Sequence, residues 1–200
     1  MNITKIAQEY VRRNMTLEDA LPTKMPVYVN SMGYLFGVIA LCGVAMLFVS
    51  GLTMAFFGPT WYHFSRIGHF INSIHFWSVQ VFFIGLVAHL ITKFFIAAWR
   101  DGRYPTWFWG IMCFAVAVFT GLSGYVIQTD YDSQWIAVQA KDAFNALGIG
   151  AFINLMDTGQ MLTMHVVFLP IVLILFILIH LFFVRRDSPV KPIQKKGVEK

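Results

Sequence analysis

Four stretches of this chain, at about residues 32–57, 74–99, 107–128 and 161–184, are long and apolar enough to cross a lipid bilayer. Each is near or above the ~20 residues that span the hydrocarbon as a helix. Inside that layer the backbone must satisfy its own hydrogen bonds, which leaves the helix as the form available to such a span. Composition agrees, because 58% hydrophobic and 12% charged residues leave too little charge for a soluble domain of 200 residues. The spans are labelled A to D. The expected fold is all-α: an integral-membrane four-helix bundle over 32–184, with a surface segment at 1–31 and a basic tail at 185–200.

The charges set the topology. Lys5, Arg12, Arg13 and Lys24 precede span A, Lys93, Arg100 and Arg103 lie around the B–C turn, and six more basic residues follow span D. The opposite side has Arg66 and Lys141, with Asp130, Asp132, Asp142 and Asp157 between C and D. Because positive residues stay inside, both termini and the B–C turn are expected in the cytoplasm, in a bacterial plasma membrane. The net charge of +5 is therefore read as a topology signal, and no nucleic-acid partner is expected. Residues 2–21 set Ile3, Ile6, Ala7, Tyr10, Val11, Met15 and Leu17 against charged neighbours, the pattern of an amphipathic helix on the inner lipid surface. Stretches such as WIAVQAKDAFNALG predict short interfacial helices between C and D. The start, MNITKIAQEYVRRN, has no apolar core, so no cleaved leader is expected. Cys42 and Cys113 lie in separate spans without a CxxC, giving no disulfide framework or zinc site.

Span B carries His75 and His89, 14 residues apart, and span D carries His165 and His180, 15 apart. Each pair is spread ~21–23 Å along a helix, with both rings roughly on one face. B and D run in the same direction, so His75 pairs with His165 near the outer surface and His89 with His180 near the inner one. Two stacked bis-histidine haem sites fit this arrangement, and iron ligation would remove the penalty of burying four imidazoles in lipid. Packing and interhelical hydrogen bonding are the alternative for any single histidine. Zinc lacks further ligands here. His63 and His69 fall in the A–B connection and read as solvated. Gly37 and Gly51 in span A, and Gly110 and Gly124 in span C, repeat the 14-residue spacing at matching depths. Each would let a haem approach the backbone, although small-residue helix packing gives the same pattern.

The 14/15 histidine spacing and the two glycine pairs are joined by GLTMAFFGP ending span A, TWFWG opening span C, SGYVIQTDYDSQWIAV, and MHVVFLP with Pro170 five residues after His165. Together they resemble cytochrome b of the quinol–cytochrome c reductases, most nearly its short split form, cytochrome b6, over about residues 25–188. The resemblance implies a di-haem subunit that carries electrons from an outer quinol site through two b haems to an inner quinone site, contributing to proton-motive force. It implies a Rieske iron–sulfur partner, a c-type cytochrome or similar acceptor, and a homodimer of the whole complex. Tyr125, Trp135 and Val138 match the outer quinol site, and Arg185 the inner quinone site. Trp135 also reads as an interface anchor and Arg185 as a stop-transfer charge.

Departures from the family pattern qualify this. Leu35 stands where the short form has the cysteine of an extra covalent haem, so that haem is not expected. Asn72 and Thr92 replace two arginines usual beside the haems, with Lys93 a candidate for the inner propionate. GYVIQTDYDSQW lacks the family's Pro-Trp, and the Pro-Glu-Trp-Tyr loop is expected on a separate three-helix subunit. The second function class is a di-haem anchor joining quinone to another dehydrogenase or to a hydrogenase.

Overall fold

The computed structural model describes residues 3–14 and 31–187. Its helices are α1 (Ile3–Asn14), α2 (Met32–Phe57), α3 (Trp61–Phe64), α4 (Arg66–Phe95), α5 (Tyr104–Val126), α6 (Tyr131–Ala146) and α7 (Thr158–Asp187). The four helices α2, α4, α5 and α7 are long and apolar enough to span a membrane. Their outward faces carry side chains such as Val49, Leu52, Ile84 and Ile171, each more than half exposed, a surface that suits lipid and not water. The chain is an integral multi-pass membrane protein.

Local chemistry sets most of the boundaries. Ser31, Ser65, Asp130 and Asp157 each accept a backbone N–H from the first turn of α2, α4, α6 and α7. Helix α5 starts differently: Arg103 makes no side-chain cap, and Pro105 occupies the first turn, where its missing N–H is not needed. Gly58, at φ 94°, ends α2, and Ala97, Asp101 and Gly102 take positive φ in the tight α4–α5 turn.

Span B begins at Arg66, earlier than the expected residue 74, and ends at Phe95, before 99. Arg66, His69, Asn72 and Ser73 depress the hydropathy of its first two turns, although Ser65 caps them. His69 therefore lies on α4 and not in the connection, while both it and His63 are exposed as expected. Helix α1 supplies the expected surface helix. Its Tyr10 ring lies 6.1 Å from Phe182, and Arg186 donates to the Tyr10 hydroxyl at 3.0 Å. The remainder of the expected amphipathic stretch, with Met15 and Leu17, lies outside the described residues, as do Lys24 and the tail beyond Asp187.

The bundle is two packed pairs, α2 with α4 and α5 with α7. A Cβ on Gly43 would come 2.9 Å from the Phe82 Cα, and one on Gly85 would come 3.0 Å from the Ala40 nitrogen. Glycine thus lets the α2 and α4 backbones cross closely. All four helices meet in one apolar cluster of Ala40, Phe82, Val116, Ala117 and Leu173. Phe82, Ala117 and Leu173 stand about midway between the paired histidines or glycines of their own helices. The core is therefore a midplane plug with one histidine level on either side. A second cluster of Val126, Ala137, Leu155 and Met161 seats α6 and the α6–α7 connection against the end of the bundle nearer His75 and His165.

Candidate functional site: four anchored imidazoles

His75 and His89 lie on α4, and His165 and His180 on α7. The rings of His75 and His165 face one another with centroids 6.2 Å apart and planes inclined at 79°. His89 and His180 occupy the other level, toward the end that carries α1.

The two helices have different histidine spacings, and α7 absorbs the difference. At ~100° per residue, 14 residues bring a ring back to about −40° and 15 residues to about +60°, so an unbroken helix would splay the α7 rings. Residues Met164–Phe168 are wound as a π turn, with the Leu169 N–H bonded to the Met164 carbonyl. Pro170 explains the turn: it has no N–H for the Val166 carbonyl, and its ring crowds that carbonyl. A π turn takes up one extra residue, which returns the 15-residue spacing of α7 to the register of the 14-residue spacing of α4.

Each imidazole is held from a neighbouring helix. His89 Nδ1 lies 2.8 Å from the Gly33 carbonyl, His165 Nδ1 2.9 Å from that of Thr120, and His180 Nδ1 2.9 Å from that of Thr106. His75 Nδ1 bonds the Ser50 hydroxyl at 2.9 Å, with the Leu47 carbonyl beside the ring. Ser123 lies 3.2 Å from His165 Nδ1. A carbonyl only accepts, so Nδ1 carries the proton. Ser50 and Ser123 give their own protons to Met46 and Thr120, so they too accept from the rings. In the neutral ring this leaves Nε2 as the free lone pair, and among the described residues none of the four Nε2 atoms is used in a hydrogen bond. This is the arrangement of a metal-ligating histidine, whose second nitrogen is fixed by a carbonyl or hydroxyl.

The glycines follow from the same geometry. Gly33, Leu47, Thr106 and Thr120 each precede one of Gly37, Gly51, Gly110 and Gly124 by four residues. A residue four positions on stands above that carbonyl on the same face, and its Cβ tilts back toward it. A Cβ on Gly37 would lie 3.0 Å from His89 Cε1, one on Gly110 3.0 Å from His180 Cε1, and one on Gly51 3.2 Å from His75 Cε1. At Gly124 the clash with His165 is closer still. Each of these glycines leaves room for an imidazole ring beside the carbonyl one turn back.

Several groups were not singled out in the sequence. Ser50 and Ser123 directly precede Gly51 and Gly124, a repeated Ser-Gly that was visible there. Arg103, read as a topology charge, is 7% exposed and so buried at the start of α5. Lys93 Nζ reaches within 3.7 Å of the Cβ position of Gly33, beside the carbonyl that holds His89. Thr92 packs its methyl against Gly33. Tyr125 is half-buried near the end of α5, whereas Trp135 and Val138 are exposed on α6. Arg185 is in the last turn of α7, and Leu35 is 46% exposed on α2. Outside the spans, burial raises the Tyr62 pKa, with the Asp130 carboxylate adding to the rise. Among the described residues no three His, Cys, Asp or Glu side chains cluster as a metal site.

The fold is shared with a chain of a hyperthermophilic respiratory Complex III, which aligns with a TM-score of 0.74 at 19% identity. That alignment covers 96% of this chain, which spans 58% of the length of its match. Cytochrome b6 of Cyanidium caldarium is 23% identical over 203 residues, covering 90% of this chain and 94% of that protein. Cytochrome b6 of Synechococcus elongatus is 25% identical over 194 residues, covering 86% and 89%. The family profile described as cytochrome b(N-terminal)/b6/petB matches residues 80–200 and so takes in His89, His165 and His180. With more than half its length in that match, the chain belongs to the cytochrome b(N-terminal)/b6 family.

Proposed function

We propose that this chain is the di-haem cytochrome b subunit of a membrane quinol:cytochrome c (plastocyanin-type) oxidoreductase. In this reading it carries electrons from an outer quinol site to an inner quinone site and contributes to proton-motive force. The observation that carries the reading is the set of four imidazoles with Nδ1 anchored and Nε2 unprotonated. His75 and His165 would hold the outer haem b, and His89 and His180 the inner one. The His75 and His165 ring centroids, 6.2 Å apart, lie close enough for both imidazoles to hold one iron. A bound haem supplies one-electron chemistry that no side chain here provides.

The protein's own part is to fix, insulate and orient. Carbonyls and hydroxyls set the tautomers, the glycines leave room for the rings, and the midplane cluster keeps water from the layer between the two levels. Lys93 supplies a cation beside the inner pair, suited to a propionate. Tyr125, Trp135 and Val138 border the proposed outer quinol site, and Arg185 the inner quinone site. The Rieske protein, the three-helix subunit, a c-type acceptor and a second copy of the complex complete the assembly. The basic residues around α1, the α4–α5 turn and the end of α7 support a cytoplasmic placement of that side in a bacterial plasma membrane.

Purification of the tagged chain from its native membrane tests the assignment. Co-purification of a Rieske cluster and quinol-dependent reduction of a c-type cytochrome are expected. Recovery with a hydrogenase or dehydrogenase instead would establish the anchor role and overturn this assignment.

A further inference from the structure

His180 is anchored differently from the other three imidazoles. The hydroxyls of Thr53, Thr92, Thr120 and Thr163 each return to the carbonyl four residues back in their own helix. Thr106, third residue of α5, instead gives its hydroxyl to Asp187 of α7 at 2.5 Å, while its carbonyl accepts from His180 at 2.9 Å. One residue of α5 is thus held from two points on α7, seven positions apart. The Asp187 carboxylate, 11% exposed, uses its other oxygen on Arg186 Nε at 2.6 Å. Because α5 lacks a side-chain N-cap, its first turn is the one most able to fray, and that turn carries the carbonyl on which His180 depends. The carboxylate also lies at the N-terminal end of the α5 dipole, where negative charge is favoured.

We propose that Asp187 is a positioning residue for the inner pair. It clamps Thr106, keeps the Thr106 carbonyl aligned on the Nδ1–H of His180, and so maintains the basicity of that imidazole toward its metal. The inference rests on the di-haem reading above. Loosening the anchor makes His180 a poorer donor to the oxidised iron, which raises the inner midpoint potential and leaves the outer one in place.

Redox titration of the intact complex in native membranes, followed in the visible spectrum and by low-temperature electron paramagnetic resonance, tests this. Thr106→Val keeps the carbonyl and removes the hydroxyl, Asp187→Ala removes the carboxylate, and Thr106→Ser restores the link. Val and Ala are expected to shift the equilibrium for electron sharing between the two haems at least threefold, ~30 mV at about 59 mV per tenfold. The expected shift is confined to the inner haem and alters its resonance, and Ser should behave as wild type. If Asp187→Ala does not assemble, the Val and Ser variants decide alone. Two haems with an unmoved inner midpoint, or both midpoints moving together, would overturn the proposal. Finding fewer than two haems in the unmodified chain would instead refute the reading beneath it.

Discussion

A methyl group added at Gly37, Gly51, Gly110 or Gly124 should dislodge one histidine by a graded amount. Carbon atoms in comfortable contact are ~3.5–4.0 Å apart. At Gly37 a new Cβ would meet His89 Cε1 and Nδ1 at 3.0 Å, so the ring must retreat by roughly 0.5–1 Å. The 2.8 Å bond from His89 Nδ1 to the Gly33 carbonyl would be stretched to as much as about 3.3–3.8 Å, weakening or breaking it. Losing a buried anchor of this kind costs about 1–3 kcal/mol, a factor of roughly 5 to 150 in haem retention at the inner site. Gly110→Ala should act equally through His180. Gly51→Ala, with its 3.2 Å approach to His75, should be mildest, and Gly124→Ala, the tightest, should be most severe. Haem released from purified variants into apomyoglobin gives the retention at each level. Uniform losses, or a loss at the level opposite to the substituted glycine, would refute the claim that these glycines serve individual imidazoles.

Pro170→Ala restores an N–H able to close an α turn on Val166, so the π turn should be lost and His165 swung off axis. Visible spectra should then lack the outer haem and keep the inner one. Ser50→Ala should raise the outer midpoint potential in a redox titration, and by more than Ser123→Ala, whose bond to His165 is longer at 3.2 Å against 2.9 Å. Tyr62 should ionise above the ordinary tyrosine range in a spectrophotometric pH titration. Asp130→Asn should return it only part of the way, because burial is the larger cause. Hydrogen bonds from Ser133 hold Asp130 itself below the ordinary carboxylate range, so the anchoring of α6 is fully present above pH ~4 and weakens as pH falls through the lowered value. Circular dichroism across an acid titration, with Asp130→Asn as the pH-independent control, reads this.

The architecture was largely legible because its causes are local. Apolar runs mark the four spans, and the two crossings between B and D run them in the same direction, which sets His75 opposite His165. The start of α4 was not legible from hydropathy, since its first turns hold Arg66, His69 and Asn72; its Ser65 cap was the better signal. The 14-residue glycine spacing is legible in the sequence, but the contact of each glycine with an imidazole needs the ring to be seen against a carbonyl one turn away. Neither the π turn at Met164–Phe168 nor its repair of the 15-residue spacing follows from a fixed 3.6-residue period. The link from Thr106 to Asp187 joins residues 81 positions apart and has no local signature.

The account stands on four imidazoles acting in two separate pairs. A pyridine haemochrome determination on the purified chain, repeated on His89→Ala, tests that most directly. Two b-type haems per chain, falling to one in the variant with the outer haem still titratable, is the predicted result. A single haem in the unmodified chain, or loss of both from the one substitution, would contradict it.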